Sequence, residues 1–101
     1  MNVGSGTDDG VIVVSARGEL DMQTADELDR ALRAALTVPG ATTVVADLAA
    51  TTFCDSSGLE VLDRFYGDAT AAGIRFRVDP VHPMVRRVLD ITGLLDILTR
   101  P

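Results

Sequence analysis

Strand-like and helix-like segments alternate along this chain, which predicts an α/β fold: a single-layer mixed, mostly parallel sheet of four to five strands with helices. Two patterns carry that reading. Runs rich in β-branched residues, Val11-Ile12-Val13-Val14-Ser15-Ala16 and Thr43-Val44-Val45-Ala46-Asp47-Leu48, flank a stretch of different periodicity. In that stretch Met22, Ala25, Leu28, Ala31, Leu32, Ala35 and Leu36 recur at spacings of three and four, one face of an amphipathic helix. Pro39-Gly40, Gly73 and Thr92-Gly93 then stand where helices should stop. Strands joined by helices pair in parallel through right-handed crossovers. A length of 101 residues is enough for one core, so residues 1–101 are expected to form one domain.

Each element follows from its own residues. Asp8-Asp9-Gly10 is a turn signal, and a short strand from Asn2 to Ser5 can pair with the Val11–Ala16 run as a hairpin, with Val3 as its one sizeable apolar anchor. Thr43–Leu48 is apolar almost throughout, as suits a strand buried on both faces. A second helix is expected from about Ser57 to Ala71, with Leu59, Leu62, Phe65, Tyr66 and Ala69 on one face. Ile74-Arg75-Phe76-Arg77-Val78 alternates and predicts a half-buried strand. A third helix is expected from about Pro83 to Ile91, followed by a short apolar piece from Leu94 to Leu98.

Composition excludes several classes of function. Nine basic residues, all arginine, against fifteen acidic ones give a net charge of −6, and the arginines are scattered along the chain. That balance argues against direct nucleic-acid binding. Cys54 is the only cysteine, so no intrachain disulfide or cysteine-based zinc site is available, and no cofactor is implied. No apolar run approaches the roughly 18 residues of a membrane span, and the first residues lack a signal-peptide pattern. The expected location is the cytoplasm.

The segment Ala50-Thr51-Thr52-Phe53-Cys54-Asp55-Ser56-Ser57-Gly58-Leu59 is the most informative. It places two hydroxyls, a carboxylate and a glycine where a strand should hand over to a helix. Unpaired N–H groups and a partial positive charge at a helix start favour an anion there. Ser57 and Glu60 have capping-box spacing, as do Thr24 and Glu27 at the first helix. If Ser57 caps, Ser56 stands outside with a free hydroxyl, suited to carrying a phosphate. If Thr24 caps, Asp21 is left uncommitted upstream. Parallel neighbouring strands would bring Asp21, Asp55 and Ser56 to one rim, at the carboxyl ends where open α/β sheets place their sites. The plain alternatives are that Ser56 and Ser57 are interchangeable caps, that Asp21 is a turn residue, and that Cys54 is a packed hydrophobe. Gly58 either is merely tolerated in the first turn or lets a partner approach closely.

An enzyme is not expected. His82, the only histidine, would have to lie beside Ser56 to serve a hydrolase, and Cys54-Asp55-Ser56-Ser57-Gly58 is not a nucleophile elbow. There is no phosphate loop and no metal-ligand cluster in the sequence.

Phe53-Cys54-Asp55-Ser56-Ser57-Gly58-Leu59 resembles the phosphoacceptor motif of the STAS family, the bacterial anti-sigma factor antagonists. Gly18-Glu19-Leu20-Asp21 with Thr24-Ala25, and Ile91-Thr92-Gly93-Leu94, match two further family segments in order and spacing. The resemblance implies that Ser56 is the phosphorylated serine and that Asp21, Asp55, Ser56, Ser57 and Gly58 belong to the partner-binding surface. It also implies a cycle. The unmodified protein binds an anti-sigma factor that is also a serine kinase and so frees a sigma factor. Phosphorylation breaks the complex, and a metal-dependent serine phosphatase restores it. Glu60 departs from the glycine many family members carry, and Cys54 from a larger apolar residue. With the sequence ending at Pro101, the amphipathic C-terminal helix common in relatives is not expected. The competing readings are an unphosphorylated STAS scaffold or an accessory subunit of a transport ATPase and, more distantly, a serine hydrolase.

Overall fold

A computed structural model describes residues 1–100. The elements run β1 (Asn2–Asp8), β2 (Val11–Leu20), α1 (Ala25–Leu36), β3 (Thr43–Leu48), β4 (Thr51–Cys54), α2 (Ser56–Ala71), β5 (Arg75–Val81), α3 (Pro83–Ile91) and α4 (Leu95–Thr99). The sheet has five strands, with β1-β2-β3-β5 in spatial order and β4 also paired to β2. β1 is antiparallel to β2 and every other pairing is parallel, as the alternation of strands and helices predicts.

The β1–β2 hairpin closes through Asp9 (φ +50°) and Gly10 (φ +83°). Two positive φ values give a tight turn whose twist matches the flanking strands, and aspartate followed by glycine is the pair that tolerates them. β1 reaches Asp8, beyond the expected Ser5, because this turn zips the hairpin shut to its tip. Its only inward anchor is the half-buried Val3, opposite Ala16.

Alternation along β2 sends Ile12, Val14 and Ala16 into the core and leaves Ser15 and Arg17 exposed. Val44, Ala46 and Leu48 of β3 and Phe76 and Val78 of β5 join that inner face. All four helices pack onto the same cluster, through Leu28 and Leu32 of α1, Leu62 and Phe65 of α2, Val85 and Leu89 of α3, and Leu98 of α4. At its centre the Phe65 and Phe76 rings meet edge to face, with centroids 4.7 Å apart and planes at 88°.

Two expectations are corrected here. Met22 belongs to no helix and is 78% exposed, because α1 starts at Ala25 after a separate turn. A further strand, β4, lies between Leu48 and Ser56, where no strand was anticipated. It is only four residues long, and pairing to β2 shifts register between Gly18 and Glu19, which breaks the period-two pattern. The Thr51 hydroxyl donates to the Ala16 carbonyl at 2.8 Å, and the Gly18 N–H donates to the Ala50 carbonyl at 3.0 Å, so the ladder survives the irregularity. β5 continues past Val78 to Val81 and contains Pro80, which an edge strand tolerates because its outward N–H has no ladder partner to lose.

Phe65 fills the middle of the core and has no exposed surface. Phe65→Ala is expected to lower the unfolding free energy by about 3–5 kcal/mol, read from urea denaturation midpoints at an unchanged slope.

Candidate functional site

β2 and β4 end side by side. Leu20 pairs with Cys54, and the Asp55 N–H donates to the Leu20 carbonyl at 3.1 Å. The next residues, Asp21 and Asp55, therefore leave the sheet from one rim, each leading into a helix. The strand beside β2 at this rim is β4 rather than β3, yet the expected convergence of Asp21, Asp55 and Ser56 follows from it.

The cap of α2 is Asp55, not Ser57. Asp55 has extended backbone angles (φ −101°, ψ −171°), and its Oδ1 accepts from the Ser57 N–H at 2.9 Å and the Gly58 N–H at 3.3 Å. A carboxylate in this position satisfies two orphan donors and faces the positive end of the helix dipole. Ser57 already lies within the helix, so its hydroxyl cannot reach back as a cap. Glu60 does not complete a capping box either: its carboxylate lies 3.8 Å from the Arg64 guanidinium, one turn on. Ser56 is the first helical residue and is exposed. Among the described residues, its hydroxyl makes no hydrogen bond within the chain.

Asp21 is more occupied than the capping-box reading expects. Its Oδ1 accepts from the Gln23 N–H at 3.0 Å and the Thr24 N–H at 3.1 Å, while its carbonyl takes the Ala25 N–H at 2.8 Å. Thr24 has near-helical angles (φ −109°, ψ −14°) and makes no side-chain cap. Its hydroxyl turns back instead, donating to the Glu19 carbonyl at 2.7 Å and accepting from the Asp21 N–H at 2.9 Å. An aspartate two and three residues ahead of available N–H groups closes an Asx-type turn, which outcompetes the threonine cap. Asp21 stays half-buried at the rim, held in one orientation.

Gly58 is buried, and its missing side chain serves an internal approach. A Cβ there would lie 2.6 Å from Leu20 Cγ and 2.8 Å from Cys54 Sγ. The start of α2 is therefore pressed onto the last pair of the β2–β4 ladder. Burial, with a smaller contribution from the Asp55 charge, pushes the Cys54 thiol up to about 11, so it is a protonated, packed group at neutral pH. His82 lies in the connection to α3, where its Nδ1 accepts from the Met84 N–H at 3.1 Å and caps that helix. The imidazole is thus committed to α3.

Two exposed apolar residues at this rim were not among the expected site residues. Met22 and Phe53, 78% and 46% exposed, adjoin Asp21 and Cys54 in the chain. The signal for Met22 was the Asp21-x-x-Thr24 turn, which delays the helix and leaves the methionine outside it. The site thus combines two ordered carboxylates, an exposed unbonded hydroxyl and large exposed apolar side chains.

The STAS domain family model matches residues 5–101. The chain is 35% identical over 89 residues to the anti-sigma F factor antagonist of Paenibacillus polymyxa, covering 88% of this chain and 76% of that protein. An anti-sigma factor antagonist from Mycobacterium paratuberculosis of known structure is 33% identical, with a TM-score of 0.79 over 98% of this chain and 82% of that one. Bacillus SpoIIAA, in its unphosphorylated form, shares the fold at 22% identity, with a TM-score of 0.78 over 93% of this chain and 83% of its own.

Two outcomes check this geometry. Asp55→Ala should cost about 1–2 kcal/mol of stability through loss of the cap, whereas Ser57→Ala should stay within about 0.5 kcal/mol, both by thermal or urea unfolding. Gly58→Ala should destabilise by about 1–3 kcal/mol through overpacking, and adding Leu20→Ala should make the combined loss smaller than the sum of the two single losses.

Proposed function

Because the chain belongs to the STAS domain family, we propose that it acts as an anti-sigma factor antagonist, a binding switch controlled by phosphorylation of Ser56. In this reading the unmodified protein binds an anti-sigma factor with serine kinase activity and releases a sigma factor. Phosphorylation of Ser56 by that kinase ends the complex, and a serine phosphatase resets it. The observation that carries the assignment is the Ser56 hydroxyl, exposed at the first position of α2 and left unbonded because Asp55 already caps the helix. A kinase needs such a group, since a hydroxyl used as a cap would have to leave its helix before it could react.

Charge explains how the switch would work. A phosphoserine adds nearly two negative charges beside Asp55 and close to Asp21, on a protein already at −6. The Ser57 and Gly58 N–H groups, which would otherwise cradle an anion, are already bonded to Asp55. The added charge is therefore poorly neutralised within the molecule and is felt by the partner. Losing about 2.7 kcal/mol at the interface weakens binding a hundredfold. Asp21, Asp55, Ser56 and Ser57 form the polar part of the proposed contact surface, Met22 and Phe53 supply apolar anchors, and Gly58 positions the helix from beneath.

Ser56→Ala should abolish phosphate incorporation by the cognate kinase while retaining its binding, and Ser56→Asp should weaken that binding. Mass spectrometry of the protein from its native host should find phosphoserine at position 56. Labelling of the alanine variant at the normal level would refute the site.

A further inference from the structure

The start of α2 belongs to the site already described; its other end faces something different. There the first residues of β2, β3 and β5, in register as Val11, Thr43 and Arg75, meet the last turn of α2 and the short α4 around an open cavity of about 530 Å3. Tyr66, Ile74 and Ile97 give it an apolar wall. Arg75, Arg77 and Arg100 line it as well, and among the described residues no carboxylate does.

That concentration is unusual in this chain, where acidic residues outnumber arginines fifteen to nine. Outside the cavity, Arg33 is paired with Asp29 and Asp68 and Arg64 with Asp29 and Glu60, while Arg17, Arg30, Arg86 and Arg87 make no ion pair among the described residues; what sets the cavity apart is three arginines beside one apolar wall. At the cavity only Arg77 has an acidic partner, Asp79 at 3.5 Å, and no ion pair involves Arg75 or Arg100 among the described residues. Asp68, the nearest acid on α2, is turned to Arg33 at 2.8 Å. The α2 carbonyls of Asp68, Ala69 and Thr70 accept from the N–H groups of Ala72, Ile74 and Gly73. The half-charge at this helix end is small beside three guanidinium groups.

We propose that this cavity binds a small organic anion. Its acidic headgroup would be held by Arg75 and Arg100, and its aromatic or apolar body would rest against Tyr66, Ile74 and Ile97. Guanidinium forks suit phosphate or carboxylate oxygens. The volume lies within the range of about 300–1,000 Å3 typical of small-molecule sites. Thr70 lies fourteen residue steps along α2 from Ser56, about 21 Å at the helical rise, so the site is remote from the proposed switch.

The test is a titration of the labelled full chain, followed by amide chemical shifts, with phenyl phosphate, inorganic phosphate and phenol as separate probes. Phenyl phosphate should perturb Thr43, Thr70, Gly73 and Arg75 in a saturable way and bind more tightly than either fragment. Arg75→Gln with Arg100→Gln should weaken it about tenfold or more, with the spectrum of the variant otherwise native. Perturbation centred on Ser56 and Ser57, or affinity unchanged in the double variant, would overturn the site. Phenol binding as tightly as phenyl phosphate would overturn the role of the anion, and inorganic phosphate doing so would overturn the role of the apolar wall.

Discussion

The backbone bond from Asp55 to the Leu20 carbonyl joins two strand ends that lie far apart in sequence, and the geometry of the rim hangs on it. Parallel strands in register deliver their carboxyl ends to one place, so two separate loops become one surface. Around that bond the packing is tight. Leu20 is wholly buried, Cys54 lies beside it, and Gly58 leaves no room for a methyl group between them. The start of α2 thus has one available depth and direction. A side chain at position 58 would lift the helix and carry Ser56 with it.

The division of labour among neighbouring polar residues follows from the same geometry. A helix start demands acceptors for its free N–H groups, and any nearby serine or aspartate can answer. Here Asp55 takes two of those donors through one oxygen, and Asp21 does the equivalent for the turn leading into α1. Carboxylates suit that duty because they remain acceptors and favour the dipole. With structural capping assigned to aspartates, the Ser56 hydroxyl has no part in capping its helix.

Much of this was legible in the sequence. Thr43–Leu48 and Pro83–Ile91 stand where the apolar run and the proline at a helix start put them, and α2 begins one residue earlier than its spacing suggested. Ser56 as the free hydroxyl was legible too, though for a reason that proved different in detail. A capping box is a spacing rule, and spacing does not reveal which of several competing acceptors has the right backbone angles. Asp55 was extended and Ser57 was not. β4 was hidden because its register shift destroys alternation, and Met22 was misplaced because periodicity continues smoothly through a turn that hydrogen bonds to Asp21 create.

Charge distribution divides the molecule along the axis of α2. At its start, two aspartates flank an exposed hydroxyl; at its end, three arginines line an apolar hollow that no carboxylate lines among the described residues. The helix dipole favours this placement, negative charge at the start and positive charge at the end. Both ends are therefore stabilised by the same helix, which means that neither charge cluster needs a ligand in order to exist. What distinguishes the ends is satisfaction. The carboxylates at the start are bonded to backbone N–H groups, whereas Arg75 and Arg100 hold no acid among the described residues. Charge that the dipole favours but no partner neutralises is the kind that a mobile anion can meet.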